Sequence, residues 1–106
     1  MAKEHTKIIS YIVKNYGNLP NSFLWPNNTG ATKKRGFYMR FGYPGSPDII
    51  GCIDGRWVGF EVKVGGDTWR EDQKKFCEKI KKCGGAYFLI KSIEDFDAIY
   101  NSITSS

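Results

Sequence analysis

The sequence predicts a mixed α/β fold with the element order αβββαβα. Three observations carry this. Two apolar runs flank the dipeptide Asp54-Gly55, the pattern of a β-hairpin. Apolar residues recur at helical spacing near the start, in the middle and at the end of the chain. The run AYFLIK, residues 86–91, is almost wholly apolar, as expected of a strand covered on both faces. The 106 residues suffice for one domain spanning 1–106.

Residues 3–16 place Ile8, Ile9, Ile12, Val13 and Tyr16 on one helical stripe, and Gly17 is the expected stop. Residues 17–36 hold two prolines, three glycines and four asparagines and read as a long loop. FYMRFGY, 37–43, reads as an aromatic strand. DIIGCI (48–53) and RWVGFEVK (56–63) are the two arms of the hairpin, joined by a type I′ turn at Asp54-Gly55. The next helix should start at Thr68 as N-cap, with Glu71 completing a capping box. Its stripe is Trp69, Gln73, Phe76, Ile80 and Cys83, and Gly84-Gly85 ends it. After strand 86–91, Ser92 and Asp95 open a last helix that buries Ile93, Phe96, Ile99, Tyr100 and Ile103.

The net charge of +5 and pI near 9.2 permit a polyanionic partner such as nucleic acid. No apolar run approaches the ~20 residues of a membrane span, and MAKEHTK lacks the apolar core of a secretory leader. A cytoplasmic protein without membrane contact is expected. Cys52, Cys77 and Cys83 form no CxxC pair, and His5 is the single histidine, which argues against zinc. The thiols are expected to be reduced apolar fillers.

Within the hairpin sit three charges. A two-residue turn at Asp54-Gly55 pairs Ile53 with Arg56 and Cys52 with Trp57, so facing numbers sum to 109. Asp48 and Glu61 also sum to 109 and become cross-strand neighbours, with Cβ atoms about 4.5–5.5 Å apart. Lys63, two residues beyond Glu61, shares their side. Facing carboxylates repel, and a cation between them relieves the repulsion. Carboxylate oxygens suit Mg²⁺ or Mn²⁺. A lysine beside such an ion can hold a water or a phosphate oxygen. The same three charges could also form a surface ion network.

Pro47-Asp48 followed by Glu61-Val62-Lys63 resembles the PD-(D/E)xK signature of restriction-endonuclease-like nucleases. Gly45-Ser46-Pro47-Asp48 before an apolar strand, Gly55 in the turn, Gln73 ten residues after the lysine and Gly84-Gly85 before the next strand narrow the resemblance. Together they look like the VRR-NUC (virus-type replication-repair nuclease) family, in the small stand-alone form that phages encode. The resemblance implies a restriction-endonuclease-like core, a mixed central sheet flanked by helices. It implies that Asp48 and Glu61 bind a divalent metal, that Val62 lends its backbone carbonyl, and that Lys63 orients or activates the attacking water. Gln73 would border the site, although a polar residue on a buried stripe could equally bond to backbone. An acid on the first helix often completes such sites; Glu4 is the candidate, or else a solvated helix-start acid.

The implied activity is Mg²⁺- or Mn²⁺-dependent hydrolysis of DNA phosphodiester bonds in the host cytoplasm. Branched or Holliday-junction DNA is the implied substrate, and a symmetric homodimer suits two cuts. Trp57, Tyr38 and Phe41 could supply its contact or belong to a core. Lys33, Lys34 and Arg35 are the candidate DNA-binding run, or a solvated loop. Trp25 and Asn27-Asn28 could contact exposed nucleotides. The competing reading is a nucleic-acid-binding module that keeps the fold without catalysis.

Overall fold

A computed structural model describes the backbone of residues 2–27, 30–34 and 36–105, and the side chains within them except at residues 2, 30–34 and 37–41. Helix α1 (Ala2–Tyr16) buries Ile8 and Ile12 and ends where the Gly17 N–H donates to the Val13 carbonyl at 3.0 Å.

Residues 17–36 are not the expected loop. They carry β1 (Asn18–Leu19), β2 (Ser22–Pro26) and β3 (Gly30–Lys34). Alternation accounts for β2, since Ser22 and Leu24 are buried while Phe23 and Trp25 are exposed. The two prolines punctuate this strand without preventing it. Pro20 lies in the turn before it, and Pro26 is its last residue. The aromatic run 37–43 forms β4 only over Phe37–Phe41, and β4 pairs with β3 in a separate two-stranded sheet. The strand expected there in the central sheet is supplied by β2 instead.

The central sheet has the order β1-β2-β5-β6-β7, with β5 at Ile49–Ile53, β6 at Arg56–Val62 and β7 at Ala86–Ile90. β2 and β6 each run antiparallel to β5, which lies between them, whereas β7 runs parallel to β6. A parallel neighbour requires a crossover, and α2 (Glu71–Lys82) makes it. Helix α3 (Ile93–Thr104) follows. The fold is thus α/β, a five-stranded mixed sheet flanked by helices. No helix among the described residues is long and apolar enough to cross a membrane.

The hairpin register is the one expected. Ile49 pairs with Phe60 and Ile53 with Arg56, each pair summing to 109. Asp54 and Gly55 have φ of 51° and 81°, the left-handed pair of a type I′ turn. One face of the sheet presents Leu24, Ile49, Ile53, Val58, Phe60, Val62 and Ile90 to Ile8 and Ile12 of α1 and to Phe96 of α3. Phe60 meets Phe96 edge-on at 4.8 Å. Each such side chain contributes about 1.5–3 kcal/mol on burial. On the opposite face α2 covers β6 and β7, with Phe76 against Trp57 and Tyr87.

Several local expectations change. The N-cap of α2 is Arg70, not Thr68, because the Gln73 side chain reaches back to the Arg70 N–H at 3.0 Å. Ser92 does cap α3, accepting from the Asp95 N–H at 3.1 Å. Only Cys77 is a buried filler. Cys52 points outward from β5, and Cys83 is the exposed C-cap of α2. β7 is an edge strand, so Leu89 is exposed rather than covered. Trp57 is half-buried beneath Phe76, and the side chains of Tyr38 and Phe41 lie outside the described residues.

Candidate active site

The site lies at one end of the central sheet, where the start of β5, the end of β6 and the N-termini of α1 and α2 meet. Pro47 is the key to its geometry. By the hairpin register Pro47 stands opposite Val62, but it has no N–H to give. Its carbonyl accepts from the Asn27 side chain at 2.9 Å. The ladder therefore stops at Ile49 and Phe60, and the Val62 N–H donates to Asp48 Oδ2 at 2.9 Å instead. One proline thus turns the next residue's carboxylate into the terminator of the ladder.

Asn27 holds this approach from the other side. Its side chain also donates to Ser46 Oγ at 2.8 Å, and its N–H donates to the Asp48 carbonyl at 2.7 Å. The amide expected to touch nucleotides is thus occupied in positioning Asp48. Gly45 is pressed against the first turn of α2. Its φ is +84°, and a Cβ there would collide with the Asp72 carbonyl. Gly45→Ala is expected to cost about 2–4 kcal/mol through that collision and the positive φ. A denaturant midpoint no lower than wild type would contradict this.

Asp48 has a second partner that sequence spacing does not reveal. His5 Nε2 lies 3.0 Å from Asp48 Oδ2. The two residues are 43 apart, and only the packing of α1 against the sheet joins them. Glu4, one position earlier on α1, is exposed and is not among the residues lining the cleft.

Glu61 leaves β6 on the face covered by α2. Its side chain is 7% exposed and Lys63's 11%, with Lys63 Nζ 3.5 Å from Glu61 Oε2. Gln73 Nε2 donates to the same oxygen at 2.8 Å. The amide orientation follows from chemistry. The Arg70 N–H can only donate, so Gln73 Oε1 must face it and Nε2 must face Glu61. Gln73 thereby couples the start of α2 to the buried carboxylate. Burial pushes the Glu61 carboxyl up to about 7 from its ordinary 4.5, and the charge of Asp48 adds to this. Lys63 and Gln73 act in the opposite direction without cancelling it.

Asp48, Glu61, Val62, Lys63 and Gln73 thus line one cleft of about 420 Å³, together with His5, Ser46, Asp67, Thr68 and Arg70. Its walls are almost entirely polar. Lys33 and Lys34 lie on β3, where side chains are outside the described residues, and Arg35 is outside them altogether.

The donor set fits a hard divalent cation. Asp48 and Glu61 each spend one oxygen on protein partners, Oδ2 and Oε2 respectively. Among the described residues, Asp48 Oδ1 and Glu61 Oε1 have no hydrogen-bond partner. Two carboxylate oxygens in a cleft large enough for water and a phosphate match how Mg²⁺ is held. Burial first, and the charge of Asp48 second, raise the Glu61 proton affinity, and a cation bound there would offset both. No family model matches the chain and no curated protein matches it, so the case for function rests on this site.

Proposed function

We propose that the protein is a Mg²⁺- or Mn²⁺-dependent, structure-selective DNA endonuclease with a restriction-endonuclease-like core. The observation that carries the reading is the convergence of Asp48, Glu61 and Lys63 in one polar cleft, with Glu61 buried. The order of elements supports it. With the β3–β4 pair set aside as an insertion and β1 as a short edge addition, α1, β2, β5, β6, α2, β7 and α3 read αβββαβα. That is the order the PD-(D/E)xK resemblance implies.

In this reading Asp48 and Glu61 would hold the ion, and the resemblance adds the Val62 backbone carbonyl as a further donor. The bound cation supplies Lewis acidity and a water of lowered pKa. Lys63 stabilises negative charge as the phosphodiester is attacked. His5 and the Val62 N–H fix Asp48 by one oxygen, and Gln73 fixes Glu61 by one oxygen, so neither carboxylate must reorganise. Branched or junction DNA, and a homodimer that cuts two strands, follow from the resemblance to small stand-alone VRR-NUC members.

The test is direct. The protein is incubated with a four-way junction, a flap, single strands and plain duplex, with Mg²⁺, Mn²⁺ or EDTA. Cleavage with either metal, absent in EDTA and absent in Asp48→Asn, is expected. No cleavage of any substrate, or equal cleavage by Asp48→Asn, would refute the enzyme. Binding without cleavage would favour the non-catalytic module.

A further inference from the structure

Strand β2 is inside out for a solvent-facing strand. Its polar Ser22 is buried, with Oγ donating to the Tyr16 carbonyl at 2.6 Å. Its aromatic residues face water: Phe23 is 60% exposed and Trp25 42%. An antiparallel strand with one solvated face normally puts polar residues there. The two rings touch each other, with centroids 5.1 Å apart and planes at 49°. They lie on the sheet face that α2 covers only over β6 and β7. Nothing in the packing of the described residues explains why this face carries Phe and Trp.

The position of the pair relative to the cleft does. Trp25 pairs with Ile50, and Phe23 with Cys52. Ile50 pairs with Gly59, two residues from Glu61, so Trp25 and Ile50 project from the sheet face that carries Glu61, and Ile50 lies two residues from Asp48. Strand geometry puts the Cα atoms of Trp25 and Asp48 about 8 Å apart, from ~3.3 Å per residue along β5 and ~4.8 Å across to β2. A nucleotide adjoining a phosphate in the cleft can span that distance.

We propose that Trp25, backed by Phe23, is a stacking platform for an unpaired base of the strand whose phosphate enters the Asp48–Glu61 cleft. This rests on the nuclease reading and adds a single-stranded or unpaired requirement beside the cut. A base is favoured over a protein partner on two grounds. The exposed parts of the two rings amount to about 200 Å², given side-chain areas of ~150–250 Å², far below the ~800 Å² per side of a stable interface. The net charge of +5 also attracts a polyanionic strand. Stacking tolerates any base, since each has a π-face.

The test measures binding of a single-stranded oligonucleotide and of a four-way junction, with cleavage silenced by Lys63→Ala and Mg²⁺ present. In that background Trp25→Ala is expected to weaken single-strand binding about 10- to 100-fold, and Trp25→Phe to restore most of it. Scanning one abasic position along the strand should find a place where the loss matches Trp25→Ala. At that place the abasic strand should lose nothing more when bound by the Trp25→Ala protein. Unchanged affinity in Trp25→Ala, or additive losses at every abasic position, would overturn the platform. So would a concentration-dependent dimer abolished by Trp25→Ala, which would make a second copy the occupant. If the wild-type chain cuts DNA and Trp25→Ala binds normally, the platform alone falls. If the chain neither binds nor cuts, the nuclease reading falls with it.

Discussion

Replacing Lys63 with alanine is expected to lower the single-turnover cleavage rate about 10³-fold, the scale of removing one charge-stabilising donor from a preorganised site. The ammonium group is held 3.5 Å from Glu61 Oε2 with little solvent around it. In water such a charge would be worth little, but in a cleft walled by protein its field on a phosphate is weakly screened. Lys63 is not one of the expected metal donors, so metal binding, read as a rise in Tm with added Mg²⁺, should survive the substitution. Asp48→Asn should lose both cleavage and the metal-dependent rise. Lys63→Arg should recover little, because a planar guanidinium cannot occupy the place of a compact ammonium group. A cleavage rate within about threefold of wild type in Lys63→Ala would remove Lys63 from the chemistry.

The hairpin was the most legible part of the chain because its information is local. A type I′ turn needs two residues with positive φ, Asp54-Gly55 meets that need, and the turn then sets every pair in β5 and β6. The juxtaposition of Asp48, Glu61 and Lys63 follows by counting. Strand β2 was hidden because its prolines and flanking asparagines speak for turns, while its alternation spans only Ser22 to Trp25. The aromatic run at 37–41 has the stronger strand signal, but composition cannot tell which sheet a strand joins. His5 was invisible for a different reason. No local rule links the first turn of α1 to the start of β5, and their contact exists only once both pack on one core. Gln73 was legible as a polar residue on a buried stripe. Its partner depended on where α2 begins, and the cap at Arg70 decided that.

Metal-free protein should lose stability as pH rises from about 4.5 to about 7. Glu61 has a carboxyl pKa of about 7 in the fold against an ordinary 4.5, because ionising it there means charging a buried group next to Asp48. Between those two values the folded chain holds a proton that the unfolded chain has released, so unfolding releases a proton and stability falls with pH. The shift corresponds to about 3 kcal/mol, fully present below pH 4.5 and lost above pH 7. For a chain of this length that is on the order of 10–20 °C in Tm. Glu61→Gln keeps the side-chain size and cannot ionise, so it should flatten this part of the profile and exceed wild type in stability at pH 8. Saturating Mg²⁺ should act in the same direction by another route. It binds the folded ionised site, raising Tm at pH 8, and adds little at pH 5, where a proton already sits on Glu61. Subtracting the Glu61→Gln profile from wild type isolates this group from every other that titrates in the range. If the two profiles run parallel from pH 4.5 to 8, the burial of Glu61 is not what creates the demand for a cation. If they diverge and Mg²⁺ closes the gap, the energetic strain in the site and its cofactor requirement have the same origin.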